Sequence, residues 1–284
     1  MVDVPQWLII ILALVYAPII GLFLMGIERK LSARFQGRIG PPLFQPYYDL
    51  MKLFSKEALV LNRVQILYAY LHLAFMMVTV VLLVLGQDLL LVLFAHAFST
   101  ICLILGGMCV RSPYSRIGSH RKIMQMVAYE PIMILMVIGI YINQGSFMGR
   151  DVFLLGKPML LTLPLIFVAF VVAGMIKLDK SPFDVATSHH AHQELVKGIT
   201  IEYSGPFLGI IELTFAYEVF VIFGVMACFW TTNLWAGLGL ALAGYGTMIL
   251  VDNLTARLTT NWMVRYMWSI PLVLALSNLI WIYK

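Results

Sequence analysis

Charge is scarce in this chain. Only 12% of its 284 residues are Asp, Glu, Lys or Arg, while 61% are hydrophobic. That is about half the charged share of an ordinary soluble domain, and it leaves too little polar surface to cover a globule in water. Cysteine is scarcer still. The three present, Cys102, Cys109 and Cys228, fall inside apolar stretches and form no C-x-x-C pair. Iron–sulfur and nickel–iron centres need several thiolates gathered in one place, so this chain holds neither by itself, and its cysteines read as small apolar packing residues. No internal repeat is visible, which weighs against a transporter built from inverted halves. The first apolar stretch lacks a basic leader and follows Asp3. It is too long for a signal peptide and reads as a retained span.

What the chain has in quantity is long apolar runs. Residues 4–27, 64–87, 89–110, 158–176 and 266–283 contain no charged side chain, 123–149 contains only Glu130, and 203–256 is long enough for two spans. A helix needs ~20 apolar residues to cross the hydrocarbon core. The pattern predicts an all-α polytopic protein with eight transmembrane helices near 5–27, 65–86, 89–110, 123–142, 158–177, 206–229, 234–251 and 266–283.

The net charge of +5 is not a nucleic-acid signal, because the basic residues are segregated. Sixteen of the nineteen Lys and Arg lie in the loops after the first, third, fifth and seventh spans. Only Arg150, Lys157 and Lys284 fall on the other side. The positive-inside rule then puts the four basic loops in the cytoplasm and both termini outside, in a multi-pass protein of the cytoplasmic (inner) cell membrane. Two of these loops, 28–64 and 178–205, exceed what a bundle needs, and loops of that size tend to be functional. In the first, Gly37 to Pro42 must be non-helical. After Pro46, the spacing of Tyr47, Leu50, Met51 and Phe54 predicts an amphipathic helix. It either lies in the membrane interface or packs on the bundle as an ordinary surface helix.

Ionisable residues at bilayer depth cost ~2.5–3.5 kcal/mol even on a lenient scale, so they mark candidate function. Glu130 stands near the start of the fourth span, where a helix N-terminus also favours a carboxylate. Glu212 and Glu218 lie within the sixth, ~120° apart around the helix, so they share no narrow stripe. Desolvation should hold such carboxyls protonated unless a cation sits close. His72 and His96 fall within the second and third spans, each either satisfied by a neighbouring helix or part of a relay. His189, His190 and His192 could ligate a metal, but no cysteine accompanies them. Hydrogen bonding at a subunit contact, or plain structural filling, suits them better.

The stretch Glu28 to Glu57, E-R-K-L-S-A-R-F-Q-G-R-I-G-P-P-L-F-Q-P-Y-Y-D-L-M-K-L-F-S-K-E, resembles the membrane-anchor subunit shared by respiratory complex I (its H subunit) and the energy-converting [NiFe]-hydrogenases. Two later regions carry the same resemblance. They are Gln125 to Glu130 and the loop with Lys180-Ser181-Pro182-Phe183-Asp184, Glu194 to Gly198 and Glu202 to Gly205. The order and placement match the family over nearly the whole chain. Where complex I subunits carry an acidic T-E-G-E-S-type stretch, this chain reads Ala186 to Gln193. It is also short, and has R-I-G-P-P in place of R-x-G-P-N. In these respects it is most similar to the B subunit of Ech-type hydrogenases, with formate hydrogenlyase anchors close by.

The resemblance implies a single membrane domain that couples redox chemistry in other chains to H⁺ or Na⁺ translocation, with no redox centre of its own. Expected partners are hydrogenase large and small subunits carrying the [NiFe] centre, a ferredoxin-like subunit with iron–sulfur clusters, an antiporter-like membrane subunit, and lipid; no nucleic acid is implied. Glu130, Glu212, Glu218, Asp184, Glu194 and Glu202 would form the proton path. Glu28, Arg29, Arg34, Arg38, Asp49, Lys52, Lys56, His189, His190 and His192 would serve docking in 28–64 and 178–205. The alternatives are a quinone-site H subunit of a complex I-type enzyme, a formate hydrogenlyase anchor, a stand-alone ion carrier, and a passive anchor that leaves the buried carboxylates unexplained.

Overall fold

The computed structural model describes residues 5–60, 62–153, 156–186 and 197–283. His189, His190, His192 and Glu194 lie outside them. In chain order the helices are α1 (Gln6–Phe35), α2 (Gln45–Phe54), α3 (Arg63–Val84), α4 (Leu89–Met108), α5 (Pro113–Gln144), α6 (Gly149–Val152), α7 (Pro164–Lys177), α8 (Gly205–Cys228), α9 (Leu234–Leu254) and α10 (Thr260–Tyr283). Among the described residues the only β pairing is an isolated bridge, Asp88 with Met148. The protein is an all-α polytopic membrane protein.

Among the described residues seven helices are long and apolar enough to cross a membrane: α1, α3, α4, α5, α8, α9 and α10. Their starts are set by local chemistry. Asn62, Asp88 and Asn233 cap α3, α4 and α9 by accepting from the N–H two residues on, at 3.0, 2.8 and 3.0 Å, which satisfies donors that a helix start leaves orphaned. Pro113 and Pro164 open α5 and α7, where a missing N–H costs nothing. Gly145 ends α5 in the left-handed conformation, φ 73°. The expected amphipathic helix after Pro46 is α2.

Two expectations need correction. The spans run beyond the apolar stretches: α1 continues to Phe35, α5 begins at Pro113, and α10 begins at Thr260. Arg, Lys and Glu are good helix formers, so leaving the hydrocarbon does not end a helix. The fifth expected crossing, 158–177, is a 3₁₀ turn at Met159–Leu161 followed by the fourteen-residue α7. At 1.5 Å per residue α7 is about 21 Å long, short of a ~30 Å core.

The alternation of directions nevertheless persists through α7. At one end of the bundle Leu160 N–H donates to the Phe229 carbonyl (3.0 Å), Leu89 N–H to Phe147 and Gly149 N–H to Gln87. At the other, basic end, Asn62 reaches the Cys109 carbonyl (3.0 Å), Ser115 that of Gly107 (2.8 Å), and Leu258 N–H that of Pro182 (2.9 Å). So α7 hangs from the first face and stops inside the bundle, and the chain after Lys177 crosses the remaining distance without a helix.

Packing follows membrane rules, in which small residues let backbones approach. Gly21 of α1 lies against α8, where an added Cβ would stand 1.9 Å from the Ala216 carbonyl oxygen. The main core gathers side chains from α5, α7, α8, α9 and α10. In it Phe229 meets Phe167 edge-on at 5.0 Å and stacks on Phe170 at 6.2 Å.

Candidate functional site

A cavity of about 1090 Å³ opens at the basic end and runs inward. Gln36, Arg38 and Thr259 line its mouth, and Lys177, Glu218 and Val219 line its floor. Its wall is the segment following α7. Because that segment leaves the helix inside the bundle, with Asp179 at φ 50°, its side chains meet partners from several helices. Lys180 pairs with Glu28 of α1, whose other oxygen accepts from the Tyr245 hydroxyl of α9 at 2.6 Å. Asp179 accepts from Lys122 (2.7 Å) and Gln125 (2.9 Å) of α5. Ser181 N–H donates to Asp252 of α9 at 2.7 Å. Asp184 pairs with Arg257 Nε, between α9 and α10, at 2.6 Å.

The floor holds the most deeply buried ion pair among the described residues. Lys177 Nζ stands 2.8 Å from Glu218 Oε1, with the side chains 1% and 6% exposed. Lys177 also donates to Thr100 Oγ1 and, at 3.3 Å, to the Tyr129 hydroxyl. Glu218 lies thirteen residues after Gly205, about 20 Å along α8, which puts it well inside the membrane. His96 Nε2 is 3.5 Å from Glu218 Oε1. That is within electrostatic contact but too long for a good hydrogen bond, and the nitrogen has no other partner. Beyond it, His72 Nδ1 lies 2.8 Å from both oxygens of Ser99. A string of polar groups therefore reaches from the cavity floor to α3. A lone charge here would face a desolvation penalty of several kcal/mol, and only the opposite charge offsets it.

The structure brings three of the expected path residues together: Asp184, Glu212 and Glu218 all line this cavity. It separates the others. Glu130 is half-buried and lines a different, apolar cavity of about 60 Å³ between α4, α5 and α8. Glu202 is half-buried in the turn before α8 and lines neither. Glu218 is also not the isolated carboxyl that its apolar surroundings suggest, because Lys177 faces it.

The expected docking residues divide in the same way. Arg34, Lys52 and Lys56 are exposed, as is Arg38, whose Nε donates to Gln36 at 2.9 Å. Arg29 and Asp49 are joined at 2.6 Å and tie α1 to α2. Burial alone would raise the Asp49 carboxyl, but hydrogen bonds from Arg29 and Gln45 hold it below its ordinary range. Glu28 differs from expectation: it turns inward to Lys180 and Tyr245 and is unsuited to an external contact. Lys52, Lys56, Arg29 and Asp49 line a second cavity of about 650 Å³ between α1, α2 and α8, which Glu212 also reaches. Tyr203 lines it too, and burial raises its hydroxyl.

Sequence reasoning missed Lys177, Lys122, Asp179, Lys180, Tyr129 and Asp252 as site residues. Lys177 registers in the sequence only as loop charge, and Lys180 only as the first residue of the Lys180 to Asp184 motif. The one available signal was that Lys177 ends an uncharged stretch that also begins with a proline-led turn. Among the described residues no cluster of three or more His, Cys, Asp or Glu has metal-binding geometry.

The pattern of the NADH dehydrogenase family matches residues 8–283. The H subunit of NADH-quinone oxidoreductase from Dehalococcoides mccartyi strain CBDB1 is 26% identical over 288 residues, covering 91% of this chain and 80% of that protein. An H subunit of the same enzyme from Syntrophobacter fumaroxidans is 27% identical over 300 residues, covering 92% and 89%. Among solved structures, a chain of the membrane-bound sulfane sulfur reductase, an archaeal respiratory membrane complex, superposes with a TM-score of 0.87 at 23% identity. It covers 98% of this chain and 100% of that one, a likeness of fold. With its family motifs on a bundle of this architecture, the chain belongs to the NADH dehydrogenase family, that of the H-type membrane subunits of complex I.

Proposed function

We propose that this chain is the membrane-anchor and coupling subunit of an energy-converting, ferredoxin-linked, H₂-evolving [NiFe]-hydrogenase. The observation that carries the coupling role is the buried Lys177–Glu218 pair at the floor of a polar cavity open to the basic face. The basic face is cytoplasmic and both termini are outside. Peripheral subunits dock over 28–64 and 178–205, and they hold the [NiFe] centre and the iron–sulfur clusters. An antiporter-like subunit continues the membrane arm.

The chain's own part is to accept and pass on a proton. Asp184, Glu212 and Glu218 line the route inward. A proton delivered to Glu218 neutralises the carboxylate and leaves Lys177 buried without its counter-charge, an arrangement that costs several kcal/mol. The protonated state is therefore short-lived, and it relaxes by onward transfer or by movement of Lys177 and the segment behind it. A redox event that shifts Asp179, Lys180 or Asp184 would change how readily Glu218 is loaded.

The hydrogenase assignment rests on the Ala186 to Gln193 segment and on the R-I-G-P-P run from Arg38 to Pro42. A second reading, a quinone-site H subunit, is favoured by the names of the curated relatives. Purification of the assembled complex in mild detergent separates them. Hydrogen evolution from reduced ferredoxin, with nickel and iron in co-purifying chains and neither in stoichiometric amount on this one, is the expected result. Quinone reduction with no nickel would replace the hydrogenase reading with the second, and a chain that emerges alone would end both.

A further inference from the structure

We propose that His96 is the relay between Glu218 and Glu130, acting through water held in the small cavity between α4, α5 and α8. The proposal rests on the coupling reading and supplies the connection that reading lacks. Glu130 does not line the large cavity; it lines a separate, smaller one, with Lys177 acting on its charge only from a distance. His96 is the residue common to both surroundings. Its Nε2 lies 3.5 Å from Glu218 Oε1, and its ring lines the cavity of about 60 Å³ that also contains Glu130.

Three features make the histidine suited to this. The residue is 8% exposed and its Nε2 is buried without a hydrogen-bond partner, and such an atom normally has protein or ordered water against it. The cavity has room for water, since ~10–15 Å³ of such space suffices for one molecule. Its remaining lining is chiefly apolar, including Val92, Met133, Val137 and Phe170, so a water there has His96 and Glu130 as its polar partners. Imidazole can take a proton at one nitrogen and give it up again.

The neighbouring polar groups do not substitute. Tyr129 directs its hydroxyl to Lys177, and consecutive helix residues point ~100° apart, so Tyr129 and Glu130 face different spaces. The groups near His96 are Lys177 from α7, Glu218 from α8 and Glu130 from α5; from α3, His72 bonds Ser99 through Nδ1, and although its Nε2 is also unpaired it does not line this cavity.

The test uses the whole complex in sealed vesicles, with ion uptake and redox turnover measured together from pH 5.5 to 8.5. His96→Gln keeps hydrogen-bonding capacity but cannot take on charge. Uptake should fall tenfold or more while uncoupled redox turnover persists, and the pH dependence that wild type shows should flatten. A purely structural loss would lower uptake equally at every pH, which overturns the relay. Wild-type uptake with undiminished His96→Gln uptake also overturns the relay but leaves the coupling reading intact; absent wild-type uptake overturns both. A second arm needs no variant. A map of the wild-type complex that resolves waters should show density within hydrogen-bonding reach of His96 Nε2 and the Glu130 carboxylate, and an empty cavity refutes the proposal.

Discussion

Replacing Lys177 by Met tests whether the buried pair holds the membrane arm together. Met fills much of the same volume without the charge. Two unit charges 2.8 Å apart attract by roughly 6 kcal/mol at an effective dielectric of ~20, most of it offset by the desolvation both ions suffer. What a truncation reveals is larger than that net value, because Glu218 stays behind with its charge unopposed, and such losses run to ~3–5 kcal/mol. Thermal dissociation of the solubilised complex, followed on native gels, should shift down by roughly 6–20 °C on the scaling for domains of this size.

The double variant Lys177→Met, Glu218→Gln removes both charges, so most of the lost stability should return. Ion uptake should stay abolished in both variants. A single variant as stable as wild type, or a double variant no better than the single, would refute the claim that a charge pair organises the floor. Recovery of stability without recovery of uptake is the expected signature, since it separates holding the bundle from moving protons.

Glu130→Gln and Glu212→Gln should each assemble and keep electron exchange with ferredoxin, yet lose tenfold or more of ion uptake, about 1.4 kcal/mol of barrier. Undiminished uptake in both would sink the proton-path assignment. Cross-links from peripheral subunits should concentrate in 28–64 and 178–205, whereas clustering on 143–157 would invert the orientation. Gly21→Val should destabilise by at least ~1–3 kcal/mol through overpacking, read as loss of assembled complex, because its side chain would meet the Ala216 carbonyl; wild-type yield would contradict the α1–α8 approach.

The parts of this protein that the sequence reveals are those set by local chemistry. Apolar runs locate the crossings, and the spacing after Pro46 locates α2, because burial in lipid and amphipathic periodicity act within one segment. The site is assembled otherwise. Lys180 meets Glu28 across 152 positions of sequence, and Lys177 meets Thr100 across 77, distances at which no periodicity operates. The most consequential error came from depth. Residues 158–176 contain no charge and read as a full span ending in an interfacial lysine. Part of that length is spent on the turn at Met159–Leu161, which is anchored to Phe229. A fourteen-residue helix starting there cannot reach the opposite surface, so Lys177 ends beside Glu218. A helix too short for the membrane thus turns an ordinary terminal lysine into the floor of the site and draws the following segment, with its three further charges Asp179, Lys180 and Asp184, in among the helices. Hydropathy registers the composition of α7 but not where it hangs, and the site depends on that position.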